Sequence, residues 1–348
     1  MNILFLNGKY PFCYYYRGYL PGVYSNSMVV SDFMRPDMKV DTSKLLKMTK
    51  SADIIVLQRP QDRERLDLVK KLHQWGKKVI FENDDTYLVG KGIPLERLEN
   101  DAQREVAKEL SQCTYDILSV CDGAIASTET LAEEYRKVNP NVAVLKNCID
   151  PLDEFPCKEN TTGKFRVGFV GSVTTNDDYL HIKDDIRRLD DRGDVTIVVF
   201  GIKYRDGSNL SFMDEDKVFW ASLKNVEWQP YVHVTEYMMT LADLALDVAI
   251  IPRKHNYFND CKSNLKFLEM SLLGIPVLAE DITPYRGDKD YLSLVPSGEC
   301  WYDRVIEIKE NYATYKTLAR KAHDYVLENY NITKYAPQWV NTIKNLCK

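Results

Sequence analysis

The sequence predicts an α/β protein made of two Rossmann-like halves. Three observations carry that expectation. Short apolar runs of strand type alternate with amphipathic stretches of helix type along most of the chain. Several of the runs end in glycine. The alternation pauses once, over the polar, proline-containing residues 151–163, and then restarts. Strands that alternate with helices form parallel sheets covered on both faces. Ligands in such sheets sit beyond the carboxyl ends of the strands, and two sheets facing each other would enclose a cleft.

In the first half, residues 2–6 are an apolar run ending at Asn7-Gly8, and 53–57 (DIIVL) are a second buried-type strand. Residues 65–75 carry helical spacing, and 78–81 (KVIF) return as a strand. A long amphipathic pattern covers 95–120. Residues 123–126 form a strand, and Ser127-Thr-Glu-Thr then opens a helix as an N-cap with acid in its first turn. Residues 142–145 close the half as a strand. In the second half, the strand at 165–170 ends in Gly171-Ser172, that at 195–200 in Gly201, and that at 248–251 in Pro252. A helix at 263–273 stops at Gly274, a residue suited to the left-handed position past a helix end, and a strand follows at 275–279. The tail, 312–346, is helical with breaks expected near Asn331 and Pro337. The expected domains are 1–150, a linker at 151–163 and 164–333, with a final helix near 334–348 packing back on the first.

The 348 residues suffice for two domains of ordinary size. Lys and Arg number 46 against 51 Asp and Glu, a net charge of -5, which argues against a surface that grips nucleic acid everywhere. No apolar run approaches the roughly 20 residues of a membrane-spanning helix. The start, MNILFLNGKY, has no basic region or small-residue cleavage site and reads as a strand. Eight cysteines are scattered singly without a CxxC pair, which speaks against a zinc site and for reduced thiols in a cytoplasmic setting.

The most informative stretch is 258–281, FNDCKSNLKFLEMSLLGIPVLAED. On one continuous helix Lys262, Lys266 and Glu269 share a stripe. Free N–H groups and the dipole at a helix start attract phosphate, and Lys262, Ser263 and Lys266 would add charge and hydrogen bonds. Glu269 would lie about 10 Å along the axis from Lys262, a reach that suits ribose hydroxyls. The same spacing also suits a solvated face with ordinary Lys–Glu contacts.

KSNLKFLEMSLLGIPVLA resembles the nucleotide-sugar-binding helix of family 4-type GT-B glycosyltransferases, in the branch with FN-x-x-KS-x-LK-x-LE followed by GIPV. Other pieces fall in the family's order. Residues 226–231 (VEWQPY) resemble the loop bordering the base, 244–252 (LALDVAIIP) the strand before the donor helix, and 165–172 (FRVGFVGS) the first donor-domain strand and glycine turn. In the first half, VIFENDDTYL and DGAIASTETLAEEYRK with VLKNCID resemble the acceptor domain. The resemblance implies retaining transfer from a nucleoside-diphosphate sugar, with no cofactor beyond that donor and no obligatory metal. It places Tyr231, Asn259, Asp260, Ser263 and Glu269 at the donor, with Lys262 and Lys266 on the leaving diphosphate; Gly171 and Ser172, at a strand end, suit the diphosphate or a purely structural turn, and Lys203, past Gly201, suits a phosphate or, more simply, a solvated loop. Many relatives carry a second Glu eight positions before the one matched by Glu269; here that position is Cys261, beside Asn259 and Asp260.

Asp84 and Asp85 follow the strand at 78–81, where paired carboxylates suit an acceptor hydroxyl, a turn, or a metal. Their order is DDT, not the DxD of metal-binding glycosyltransferases. Arg17 and Tyr19, in YYYRGYLPG just after the first strand, are expected to line the acceptor side. His181, His233 and His255 are isolated and receive no role. The acidic balance favours a glycan or lipid-linked acceptor over a modified DNA base. A non-catalytic nucleotide-sugar sensor is the rival from another class, with Cys261 as its support. A dehydrogenase is disfavoured because no G-x-G-x-x-G follows a strand.

Overall fold

The structure, a computed structural model, describes residues 1–6, 11–30, 41–91, 100–171, 175–202 and 214–348. The chain divides into two compact units, Met1–Asp150 with Asn256–Ser263 and Tyr330–Lys348, and Pro151–His255 with Asn264–Asn329. Among the described residues no helix is long and apolar enough to cross a membrane.

The first unit holds strands β1 (Ile3–Leu6), β2 (Met28–Val29), β3 (Ile54–Gln58), β4 (Lys78–Asn83), β5 (Gly123–Ala126) and β6 (Val142–Val144). They form one parallel sheet in the order β2-β1-β3-β4-β5-β6. Every residue of β1, β3 and β5 is buried, as a sheet covered on both faces requires. The helices Arg63–Gln74, Asp101–Val120 and Glu129–Arg136 start at Asp62, Asn100 and Thr128, whose side chains accept backbone N–H bonds. Residues 95–99 of the long amphipathic pattern lie outside the described residues, as do Asn7 and Gly8.

The last helix, Ile332–Leu346, belongs to this unit and buries Ala336, Trp339 and Ile343, with the Trp339 ring 6.4 Å from that of Phe5. The expected break at Pro337 is absent. Proline there removes one N–H bond in the second turn, and the buried face holds the helix together.

The second unit holds β7 (Phe165–Val170), β8 (Val195–Phe200), β9 (Val226–Gln229), β10 (Val248–Ile251), β11 (Val277–Glu280) and β12 (Ser293–Val295). Their order is β12-β11-β10-β7-β8-β9, all parallel, so the direction of winding reverses between β7 and β10. Residues 226–229, expected as a loop, are the edge strand β9. At the carboxyl ends, Gly201 has φ +90°, and a Cβ on it would stand 2.4 Å from the Gly171 carbonyl oxygen. The stretch 151–163 is tied down rather than free. Lys158 N–H donates to the Ala242 carbonyl at 3.1 Å, and Asn160 donates to Asp247 at 2.6 Å.

The helix expected over 263–273 is shorter, Leu265–Leu272, and is preceded by a separate turn of helix, Tyr257–Cys261. Lys262, with ψ 157°, is extended and breaks the continuity. Helix Tyr257–Cys261 packs in the first unit, where Thr128 donates to the Cys261 carbonyl at 2.8 Å and Asn147 donates to Ser263 Oγ at 2.7 Å. Asn264 begins the return, donating to buried Asp288 at 2.7 Å within the second unit. Polar tethers thus override the helical periodicity of the segment.

Candidate functional site

In the second unit the helix Leu265–Leu272 turns Lys266 and Glu269 towards Tyr237. Glu269 is 2% exposed. Its Oε2 accepts from the Tyr237 hydroxyl and from Lys266 Nζ, each at 2.9 Å, and Lys266 Nζ also donates to the Tyr237 oxygen at 2.9 Å. Burial and the Glu269 charge push the Tyr237 hydroxyl well above its ordinary pKa, so it stays a donor. Phe200 stacks on the Tyr237 ring at 5.4 Å and fixes it. Among the described residues the hydrogen bonds to Glu269 all fall on Oε2, which leaves Oε1 for a ligand hydroxyl. Lys266 is partly exposed.

Gly171, between β7 and the following loop, has no room for a side chain: a Cβ would lie 2.2 Å from Thr175 Oγ1 and 2.8 Å from the Tyr179 hydroxyl. Tyr231 is half-buried just beyond β9. Ser172 and Lys203 lie outside the described residues. Sequence reasoning passed over Arg253, just past β10. It is buried, donates to Asp178 at 2.7 Å, and braces the helix Asn176–Leu180 against the end of β10.

In the first unit the carboxyl ends of β3 and β4 carry a second charged cluster. Asn83 Oδ1 accepts the backbone N–H of Asp84 at 2.9 Å and so sets the turn that presents both aspartates. Asp85 is paired with Arg59 through one oxygen and with Lys262 through the other. Burial alone would raise the Asp85 carboxyl; Lys262 and Arg59 together hold it below its ordinary value. Arg59 Nε lies 3.5 Å from Asp84 Oδ1, which is buried and takes no hydrogen bond. Arg59 itself has φ +49°, a strained backbone that no periodicity in the sequence announces.

Compared with known proteins, the chain matches no family model and no curated protein. Solved structures do resemble it. The Anabaena HepE structure in complex with UDP-glucose superimposes with a TM-score of 0.66 at 12% identity, covering 99% of this chain and 100% of that one. A glycosyltransferase from Rickettsia africae gives 0.65 at 10% identity over 100% and 98%. Sucrose-phosphate synthase from Thermosynechococcus elongatus gives 0.61 at 13% identity over 89% and 81%. The fold is GT-B.

Three expected assignments change in this GT-B chain. Lys262 was expected on one stripe with Lys266 and Glu269. It precedes the helix and sits in the first unit, against Asp85 and over the Phe258 ring at 4.2 Å. Ser263 goes with it, its hydroxyl held by Asn147. Arg17 does not line an acceptor surface. Its side chain is fully buried, donates to Glu82 at 2.6 Å and to the Leu145 carbonyl at 2.6 Å, and lies 4.8 Å from the Trp339 ring. Tyr19 is half-buried and stacks on Tyr15 at 5.8 Å.

Asn259 is buried and Asp260 half-buried on the short helix 257–261, in the first unit. Cys261 is in the core there, and burial pushes its thiol up to about 12, so it is an inert packing group. The carboxylate beside it is Glu134, which accepts from Thr86 and Tyr115 and hydrogen-bonds Tyr257.

Proposed function

We propose that the protein is a glycosyltransferase that takes a sugar from a nucleoside-diphosphate sugar, with UDP as the nucleotide, and passes it to a hydroxyl of a glycan or lipid-linked glycan. The Lys266–Glu269–Tyr237 triangle carries this reading. A buried carboxylate with one oxygen open suits a ribose hydroxyl, and a half-free cation beside it suits a phosphate. UDP as the nucleotide is supported by the fold-sharing structures described as complexes with UDP or UDP-glucose.

As the sugar leaves, negative charge builds on the diphosphate, and positioned cations and backbone N–H groups stabilise it better than water does. Lys266 and the Gly171 turn take that role; Lys262 and Ser263 are reassigned to the acceptor-side cluster. Asp85 is locked between two cations, so Asp84 is the carboxylate that would take the acceptor proton, with Arg59 holding the pair in place. Retention of configuration, independence from metal and a cytoplasmic setting follow the sequence resemblance and the scattered thiols. Release of UDP from UDP-sugars by purified protein tests the reading. Lys266→Ala and Glu269→Ala should each lower turnover at least about tenfold without unfolding the protein. Wild-type turnover in both variants would refute the assignment.

A further inference from the structure

Residues that come after four neighbouring strands of the second sheet line one cavity of about 330 Å³. His181 caps the end of helix Asn176–Leu180, the first after β7; His255 follows β10, Glu280 ends β11, and Ser297 follows β12. The reversal between β7 and β10 lies within this set, and open α/β sheets bind ligands at such a point.

Glu280 is the informative group. It is 4% exposed, and its Oε1 pairs with His255 Nε2 at 3.0 Å. Its Oε2 is buried and takes no hydrogen bond, although His181 Nε2 stands 3.4 Å away. The reason lies on the far side of that ring. His181 Nδ1 faces the Asp178 carbonyl oxygen, which can only accept, so Nδ1 carries the hydrogen. In the neutral ring Nε2 is then an acceptor too. While that ring is neutral, Oε2 faces another acceptor, and a buried acceptor without a donor is costly. A pair of adjacent hydroxyls supplies what is missing, one donating to Oε2 and the other to Nε2.

We infer that this cavity is the subsite for the hydroxyls of the transferred sugar, with Glu280 and His181 receiving neighbouring hydroxyls and His255 holding the Glu280 carboxylate in place. The inference rests on the donor reading above and extends it to the sugar. The residues are distinct from the Lys266–Glu269–Tyr237 triangle, so the two can be separated by experiment.

Calorimetric titration of the full chain with UDP, UDP-glucose, UDP-galactose and UDP-N-acetylglucosamine tests it, for wild type, Glu280→Gln and His181→Ala. His181 is exposed, so its variant keeps the test open should Glu280→Gln fold poorly. Wild type should bind one of the three sugar conjugates more tightly than UDP. Both variants should bind that conjugate at least about tenfold more weakly, while UDP affinity stays within about twofold. Equal losses for UDP and the conjugate, or no loss for either, would overturn the inference, as would wild type that gains nothing from any sugar. Wild type that binds no nucleotide at all would overturn the donor reading and this inference with it.

Discussion

Replacing Arg17 with methionine removes the guanidinium that faces Glu82 while keeping most of the volume against Trp339. Both side chains of the pair are 0% exposed and sit 2.6 Å apart. Removing one partner of such a pair leaves an uncompensated buried charge, at a cost of about 3–5 kcal/mol. A melting midpoint falls by about 2–4 °C per kcal/mol for a unit of 150–250 residues, so the first unit should melt roughly 6–20 °C lower.

The pH dependence sharpens the test. Burial raises the Glu82 carboxyl to about 7 from 4.5, with Arg17 opposing the shift. The folded state therefore holds this proton more tightly than the unfolded chain. The group's contribution is fully present below pH 4.5 and is lost as pH rises through about 7, roughly 3 kcal/mol in all. Without Arg17 the shift is larger, so the variant should suffer most at pH 8 and least at pH 5.5. Melting followed by circular dichroism at those two values reads both effects, and Arg17→Met with Glu82→Leu should recover part of the loss. An Arg17→Met protein that melts with wild type at pH 8 would refute the buried-pair argument and return Arg17 to the surface role the sequence suggested.

Two further perturbations probe the clusters separately. Gly171→Ala places a Cβ 2.2 Å from Thr175 Oγ1, and overpacking of this kind costs about 1–3 kcal/mol, so both the melting midpoint and nucleotide affinity should fall; unchanged values for both would contradict the tight turn. Asp85→Asn removes the charge shared by Lys262 and Arg59 and should lower stability and transfer at pH 7. Because the folded Asp85 carboxyl lies below its usual 3.8, its contribution is present above that value and lost as pH falls below it. The gap between wild type and Asp85→Asn in urea melts should therefore close towards pH 3, and a gap that widens there would refute the pairing.

The regular elements were legible because burial on both faces writes itself as plain apolar runs. The strands at 78, 123, 165, 195 and 248 begin where the runs begin. The edge strands Met28–Val29 and Val226–Gln229 were not, since neither has a buried residue and neither carries an apolar run of the kind that the edge strand Val142–Val144 does. Helical spacing put Lys266 and Glu269 on one face, and there they meet. Lys262 was misplaced by the same rule, because spacing assumes one unbroken helix and the break comes from distant partners, Asp85 and Asn147. Arg17 was misread for a similar reason: the tyrosine-rich stretch around it, expected as a loop, is helical over Tyr15–Tyr19 and says nothing of Glu82 and Trp339, which close over it from elsewhere in the chain. Arg59, Arg253 and Glu280 left no signal at all, because each sits at a strand end where only the loops that meet there reveal its partners.

A thermal-shift screen against UDP, GDP, ADP and TDP asks whether Glu269 and Lys266 form a nucleotide site. A ligand at 100 times its dissociation constant adds about 2.7 kcal/mol to the state that binds it. UDP should raise the melting temperature clearly, and Glu269→Ala should abolish the rise. No rise with any nucleotide, or a rise that survives in Glu269→Ala, would contradict it.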